Sequence, residues 1–162
     1  MLAVVVCDST FGNTARIAQA IASGLGERVS TRIVSASAAI EAPFGAPDVL
    51  LVGGPTQRHG LSPALRAFLD GLPPGSLRGV RAAAFDTRYH MTALLSGSAA
   101  GQTAGHLRRA GCQMVVSPES FFMERDVPPK GEKRRHELER LEDGEVDRAA
   151  EWGRGIAAQV LP

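Results

Sequence analysis

Ser9, Thr10 and Thr14 place three hydroxyl groups within six residues, with Phe11, Gly12 and Asn13 between them. With Asp8 between, they follow the apolar run Leu2-Ala3-Val4-Val5-Val6-Cys7, and a helical pattern begins at Thr14. Hydroxyls together with the free amides of a helix N-terminus suit a phosphate dianion, whose charge the helix dipole also favours. Gly12 lets the backbone come close, so no lysine is needed. Capping the helix explains one of the three hydroxyls well and three poorly.

Competing chemistries fail on inspection. The chain holds neither GxxxxGK[ST] nor a GxGxxG after its first strand, so loops of those kinds for nucleotide triphosphates or dinucleotides are not expected. A cysteine-phosphatase loop built on Cys7 would need arginine where Asn13 stands, and the third strand ends in Gly53-Gly54 rather than a phosphorylatable aspartate. Asp86 beside His59 or His90 suggests an acid/base pair, yet no Ser or Cys nucleophile accompanies them in the same loop. No catalytic residue and no metal ligand is expected. Asp86, at a strand end, is equally suited to bonding loop amides.

The elements that must position these residues alternate along the chain. The run Leu2 to Cys7 is the pattern of a strand buried on both faces of a parallel sheet. Ile17, Ala18, Ile21, Ala22 and Leu25 recur at helical spacing, and Gly24 and Gly26 supply the stop. Strands are predicted over 29–34, 49–52, 80–85 and 112–116, and helices over 64–72, 97–110 and 146–160. Such alternation calls for an open parallel sheet with right-handed crossovers and helices on both faces. Ligands of these sheets sit beyond the carboxyl ends of the strands, which directs attention to the loops after Cys7, Val52 and Phe85.

The 162 residues, 44% hydrophobic and 22% charged, are expected to form one domain over 1–162. Eighteen Lys and Arg against 17 Asp and Glu leave a net charge of +1, which argues against a nucleic-acid footprint or an acidic-lipid anchor. No apolar run reaches the roughly 18 residues of a membrane span. The N-terminus enters its first strand without a basic segment, so a cytoplasmic protein is expected. Cys7 and Cys112 read as small core residues in a reducing compartment. Residues 124–145, charged in both signs with Leu138 and Leu141 three apart, read as a short exposed helix, with a docking surface or a lid as the functional alternatives.

Three motifs carry a resemblance. Ser9-Thr10-Phe11-Gly12-Asn13-Thr14 resembles the FMN-phosphate loop of flavodoxins, and Val52-Gly53-Gly54-Pro55-Thr56, followed by Gly60 and Ser62-Pro63, resembles their second flavin loop. Ala84-Phe85-Asp86-Thr87-Arg88, with Gly97-Ser98-Ala99-Ala100 and a stretch from Gly144 to Trp152, is similar to bacterial flavodoxin-domain proteins. The resemblance implies a flavodoxin-like α/β fold, a five-stranded parallel sheet in the order 2-1-3-4-5 with helices on both faces, and noncovalent FMN. It also implies that the first loop holds the phosphate. Pro55, Thr56, Gln57, Arg58, His59 and Gly60 would line one side of the ring, and Asp86, Thr87, Arg88, Tyr89 and His90 the other. Flavodoxins usually stack a tryptophan or tyrosine on the ring from one or both loops; here the second loop offers only His59 and the third Tyr89. Trp152, between Ala149 and Ile156, reads as core.

Charge separates the functional readings. Arg58, His59, Arg88 and His90 stand against Asp86 alone, and a cation within a few ångströms favours a reduced flavin anion by about one to a few kcal/mol. A raised potential is expected, unlike the acidic surroundings typical of electron-shuttling flavodoxins. The first reading is an FMN electron-transfer protein with a redox partner. The alternative is an FMN-dependent NAD(P)H oxidoreductase acting on quinone or flavin, and a third is a flavin-free interaction or sensing module. Nothing in the residues decides the oligomeric state.

Overall fold

The computed structural model describes residues 1–42, 44–57, 60–90, 97–125, 127–133, 135 and 139–162. The apolar run at the start becomes the central strand β1 (Leu2–Cys7). Its odd residues Ala3, Val5 and Cys7 enter one core and its even residues Val4 and Val6 the other, all but Cys7 without exposure. A two-sided burial of this kind is why the run is apolar throughout rather than alternating.

Strands β2 (Ser30–Ser35), β3 (Val49–Pro55), β4 (Arg81–Arg88), β5 (Gln113–Met114) and β6 (Glu119–Phe122) complete the sheet. The order is β2-β1-β3-β4-β5, parallel throughout, as expected. The expected single edge strand over 112–116 is instead two segments, since β6 also pairs with β4, from Phe85↔Glu119 to Arg88↔Phe122. Between the two ladders β4 has two residues, 83–84, and the edge four, 115–118. Pro118, which has no N–H to donate, falls in that interruption.

Helices α1 (Asn13–Leu25) and α5 (Glu145–Val160) cover one face through Ile17, Ile21, Ala149 and Ile156. Helices α2 (Ala36–Glu41), α3 (Pro63–Asp70) and α4 (Ala99–Arg109) cover the other through Ala39, Leu65, Phe68 and Leu107. Helix α2, absent from the sequence reading, is one short Ala-rich stretch started by Ser35, whose hydroxyl accepts from Ala38 N at 3.1 Å. The α1–α5 contact is backbone to backbone. A Cβ at Gly24 would run into the carbonyl of Ala150, and one at Gly153 into the carbonyl of Ile21. No described helix is long and apolar enough to cross a membrane.

Cys7 and Cys112 are free and buried. Burial, helped at Cys7 by the neighbouring Asp8 charge, pushes both thiols up to about 11, so they remain protonated at neutral pH and are poor nucleophiles. Trp152, expected in the core, is half-buried at its edge, packed edge-on against Phe85 and Phe121 with ring centroids at 6.3 and 6.0 Å.

Candidate functional site

The first loop turns from β1 into α1 at Gly12, which caps the helix at φ 86°. Nothing lies within 4 Å of a Cβ built there, so backbone conformation rather than space requires glycine. Ser9 Oγ accepts from Ala15 N at 3.1 Å and takes one of the helix's early amides. The amides of Asn13 and Thr14, ahead of it, have no partner inside the helix by its geometry. Thr14 is buried, its hydroxyl 2.8 Å from that of Thr87 on β4. Thr10 and Phe11 are exposed. The three hydroxyls therefore do three things: Ser9 caps, Thr14 ties α1 to the sheet, and Thr10 stays exposed at the cavity.

The second and third loops start later than the sequence suggested, because β3 runs to Pro55 and β4 to Arg88. Asp86, Thr87 and Arg88 are therefore buried strand residues. Asp86 Oδ2 accepts from Thr56 Oγ1, Ser98 Oγ and Ala100 N, each at 2.9 Å. Thr56 Oγ1 in turn accepts from Ala99 N at 3.0 Å. One carboxylate thus joins the end of β3 to the first turn of α4. Beyond Thr56, Gln57 and Gly60 exchange backbone hydrogen bonds of 2.9 and 2.8 Å. Arg58 and His59 lie outside the described residues.

These loops enclose a cavity of about 410 Å³. Ser9, Thr10, Phe11, Asn13 and Thr14 line it from the first loop, Pro55, Thr56 and Gln57 from the second, and Thr87, Arg88 and Tyr89 from the third. Gly12, Gly60, Asp86 and His90 are not among its lining residues. His90 turns aside: its ring stacks on Phe122 at 3.8 Å and its Nε2 lies 3.1 Å from Glu142 Oε2. The expected cluster of cations therefore loses His90, and Asp86 serves the scaffold rather than the cavity surface. Tyr89 supplies an aromatic wall, with the Arg125 guanidinium 5.1 Å from its ring centre.

Met123 and Glu139 also line the cavity, and the sequence reading missed both. They come from the charged stretch expected to be an exposed helix. Its described residues before Glu145 contain no helix, and Leu138 lies outside the described residues. The described residues of 124–133 are largely exposed, but the return 139–142 runs antiparallel beside the end of β6. Glu124 N donates to Arg140 O at 2.8 Å and Glu142 N to Phe122 O at 3.0 Å. Asn13 Nδ2 donates to Glu139 O at 2.9 Å, which fastens this strap to the start of α1. Glu139 and Leu141 are buried while Arg140 is exposed. That inside–outside alternation was the available signal, concealed by a carboxylate at an inward position. Burial pushes the Glu139 carboxyl up from the ordinary range.

Arg148 braces the same corner. Its guanidinium pairs with Glu119 at 2.8 Å and Glu145 at 2.6 Å, bonds the carbonyl of Ser120, and lies 4.6 Å from the Phe121 ring centre. Burial alone would raise the Glu145 carboxyl, but hydrogen bonds from Arg148 and Phe122 N outweigh it and bring it below the ordinary range. Among the described residues no cluster suited to a metal ion occurs.

No protein-family model matches the chain, and no curated protein matches it in sequence. Solved structures do. A flavodoxin from the domain Archaea is 22% identical with a TM-score of 0.71, covering 99% of each chain. Flavodoxin 1 from Bacillus cereus is 19% identical with a TM-score of 0.69, over 99% of this chain and 97% of that one. A rubredoxin oxygen:oxidoreductase from the anaerobe Desulfovibrio gigas is 17% identical with a TM-score of 0.71, over 98% of this chain but 36% of its own. The chain has the flavodoxin-like α/β fold.

Proposed function

We propose that the cavity binds FMN noncovalently and that the protein transfers electrons through it. The observation that carries this reading is one continuous cavity, about 410 Å³, which joins the N-terminus of α1 to an aromatic and polar slot between the ends of β3 and β4. Small-molecule sites typically span about 300–1,000 Å³ and lie at the switch point of such sheets. The donors fit the cofactor. The early amides of α1 and the Thr10 hydroxyl suit a phosphate dianion, favoured by the helix dipole by about 0.3–2 kcal/mol. Tyr89 and Pro55 offer flat or apolar surface to a ring.

Bound FMN supplies the redox chemistry, accepting and releasing electrons at its ring. The chain's part is to position and to exclude water. Asp86 fixes Thr56 and the first turn of α4, so the ring walls keep their spacing without a ligand. The strap residues Met123 and Glu139 close the side that β4 leaves open. Phe11, 57% exposed at the rim, leaves an apolar contact for a redox partner. Two buried, protonated thiols are consistent with a reducing, cytoplasmic setting.

The absorbance spectrum of freshly purified protein tests the reading. A yellow protein whose released chromophore is FMN, or a colourless one that takes up FMN stoichiometrically, is expected. Protein that is colourless and fails to take up FMN overturns the reading in favour of a flavin-free module. Turnover of NADH or NADPH with a quinone, without any partner reductase, would reassign it as an oxidoreductase.

A further inference from the structure

Tyr89, the sole tyrosine of the chain, is half-buried and lines the cavity. The residues on either side of it are tied to other parts of the fold. Arg88 donates from Nη1 to Gly97 O at 3.0 Å, while His90 stacks on Phe122 and meets Glu142. The Tyr89 ring itself meets the strap, where the exposed Arg125 guanidinium lies 5.1 Å from its centre. Arg125 does not line the cavity, so it covers a part of the ring turned away from it. Backbone pairing sets its place. Met123 N donates to Arg88 O at 2.9 Å and Glu124 N to Arg140 O at 2.8 Å, so the chain leaves β6 alongside the third loop and passes outside Tyr89. The Glu124 carboxylate is paired with Arg140 at 2.7 Å. A guanidinium can cover a ring while its edge N–H groups bond water or a carboxylate, so the contact needs no unpaired charge.

Resting on the FMN reading, we infer that Arg125 is a positioning residue for the flavin ring: from outside the cavity it holds Tyr89 in place as an aromatic wall. That wall is then held by the strap as well as by the third loop. Arg125 acts on the ligand only through Tyr89, so its contribution vanishes once the tyrosine ring is gone.

Two measurements on the full chain test this. Without ligand, tyrosine-selective isotope labelling gives a single set of ring signals in NMR spectra, that of Tyr89. Arg125→Gln should move those signals and lower the order parameter of the ring. Unchanged signals and order overturn the proposal. With ligand, wild type, Arg125→Gln, Tyr89→Leu and the double variant are titrated with oxidised FMN and with riboflavin. Arg125→Gln is expected to weaken both flavins about twofold to fivefold, the worth of an exposed cation–ring contact, and to change neither further in the Tyr89→Leu background. A loss confined to FMN would mean that Arg125 attracts the phosphate, and a loss that persists in the Tyr89→Leu background would mean that it acts by another route. Either result overturns the proposal. Wild type that binds neither flavin removes the functional reading itself, a separate failure, and the ring signals alone then decide whether Arg125 holds Tyr89.

Discussion

The two ends of the cavity are built by different means. Toward α1, the donors are backbone amides that any helix start would present, and Gly12 and Ser9 set them within one turn of chain. Between β3 and β4, the wall depends on side chains far apart in sequence: Asp86 gathers Thr56 from thirty residues before it and Ser98 and Ala100 from twelve and fourteen after it. The first end is local and tolerant of side-chain loss but sensitive to charge. The second is a long-range polar hub, sensitive to loss of one carboxylate.

The largest effect should come from charge at the α1 end. Thr10→Asp sets a carboxylate beside the proposed phosphate, and two like charges at about 4 Å repel by about 4 kcal/mol at a surface-like dielectric. FMN affinity should fall at least about a hundredfold, while affinity for riboflavin, which lacks the phosphate, changes less than about threefold. Thermal stability without ligand should hold or rise slightly, since an anion suits a helix N-terminus. Equal losses for both ligands would erase the distinction between the two ends.

Next is the hub. Asp86→Ala strands three donors, the buried Ala100 N and the half-buried Thr56 and Ser98 hydroxyls, at about 1–3 kcal/mol for each that finds no replacement. Part is offset because Asp86 Oδ1 is itself buried without a hydrogen-bond partner among the described residues. A net loss of about 2–4 kcal/mol in urea unfolding is expected. FMN and riboflavin should weaken together, by about tenfold, because the ring wall and not the phosphate subsite is disturbed. A variant that weakens FMN alone would show that the hub reaches the α1 end.

This division also explains what could be read from the sequence. The apolar run of β1, the periodicity of α1 and the glycine between them are near-neighbour patterns, and they pointed to a buried parallel sheet and to the phosphate-type loop, while the sheet order came only with the resemblance to flavodoxins. Asp86 was visible as a residue but not as a hub, since its partners are set by how α4 docks on β4. His90 looked like a ring-side cation because its partners Phe122 and Glu142 lie more than thirty residues on. Glu139 could not be found by hydrophobic pattern, which reads a carboxylate as outward. The split of the edge strand needed the register of β4 as a ruler.

Smaller effects belong to the strap that bridges the two ends. Asn13→Ala removes the Nδ2 bond to Glu139 O, worth about 1 kcal/mol. Amide exchange should accelerate at Glu124 and Glu142, whose N–H groups pair the strap with the end of β6. Unchanged exchange there would mean that β6 holds the strap without help from α1.

The smallest effect is expected at Glu139, and its sign is diagnostic. Burial holds its folded-state pKa above the unfolded value of about 4.3, so the fold favours the protonated form. Stability from this source is complete below the unfolded pKa and is lost as pH rises through the folded one. Glu139→Gln has no proton to lose. The variant's melting temperature relative to wild type should therefore climb as pH rises above the unfolded pKa and level off once pH passes the folded one. A gap independent of pH would mean that the Glu139 carboxyl is solvated rather than part of the wall.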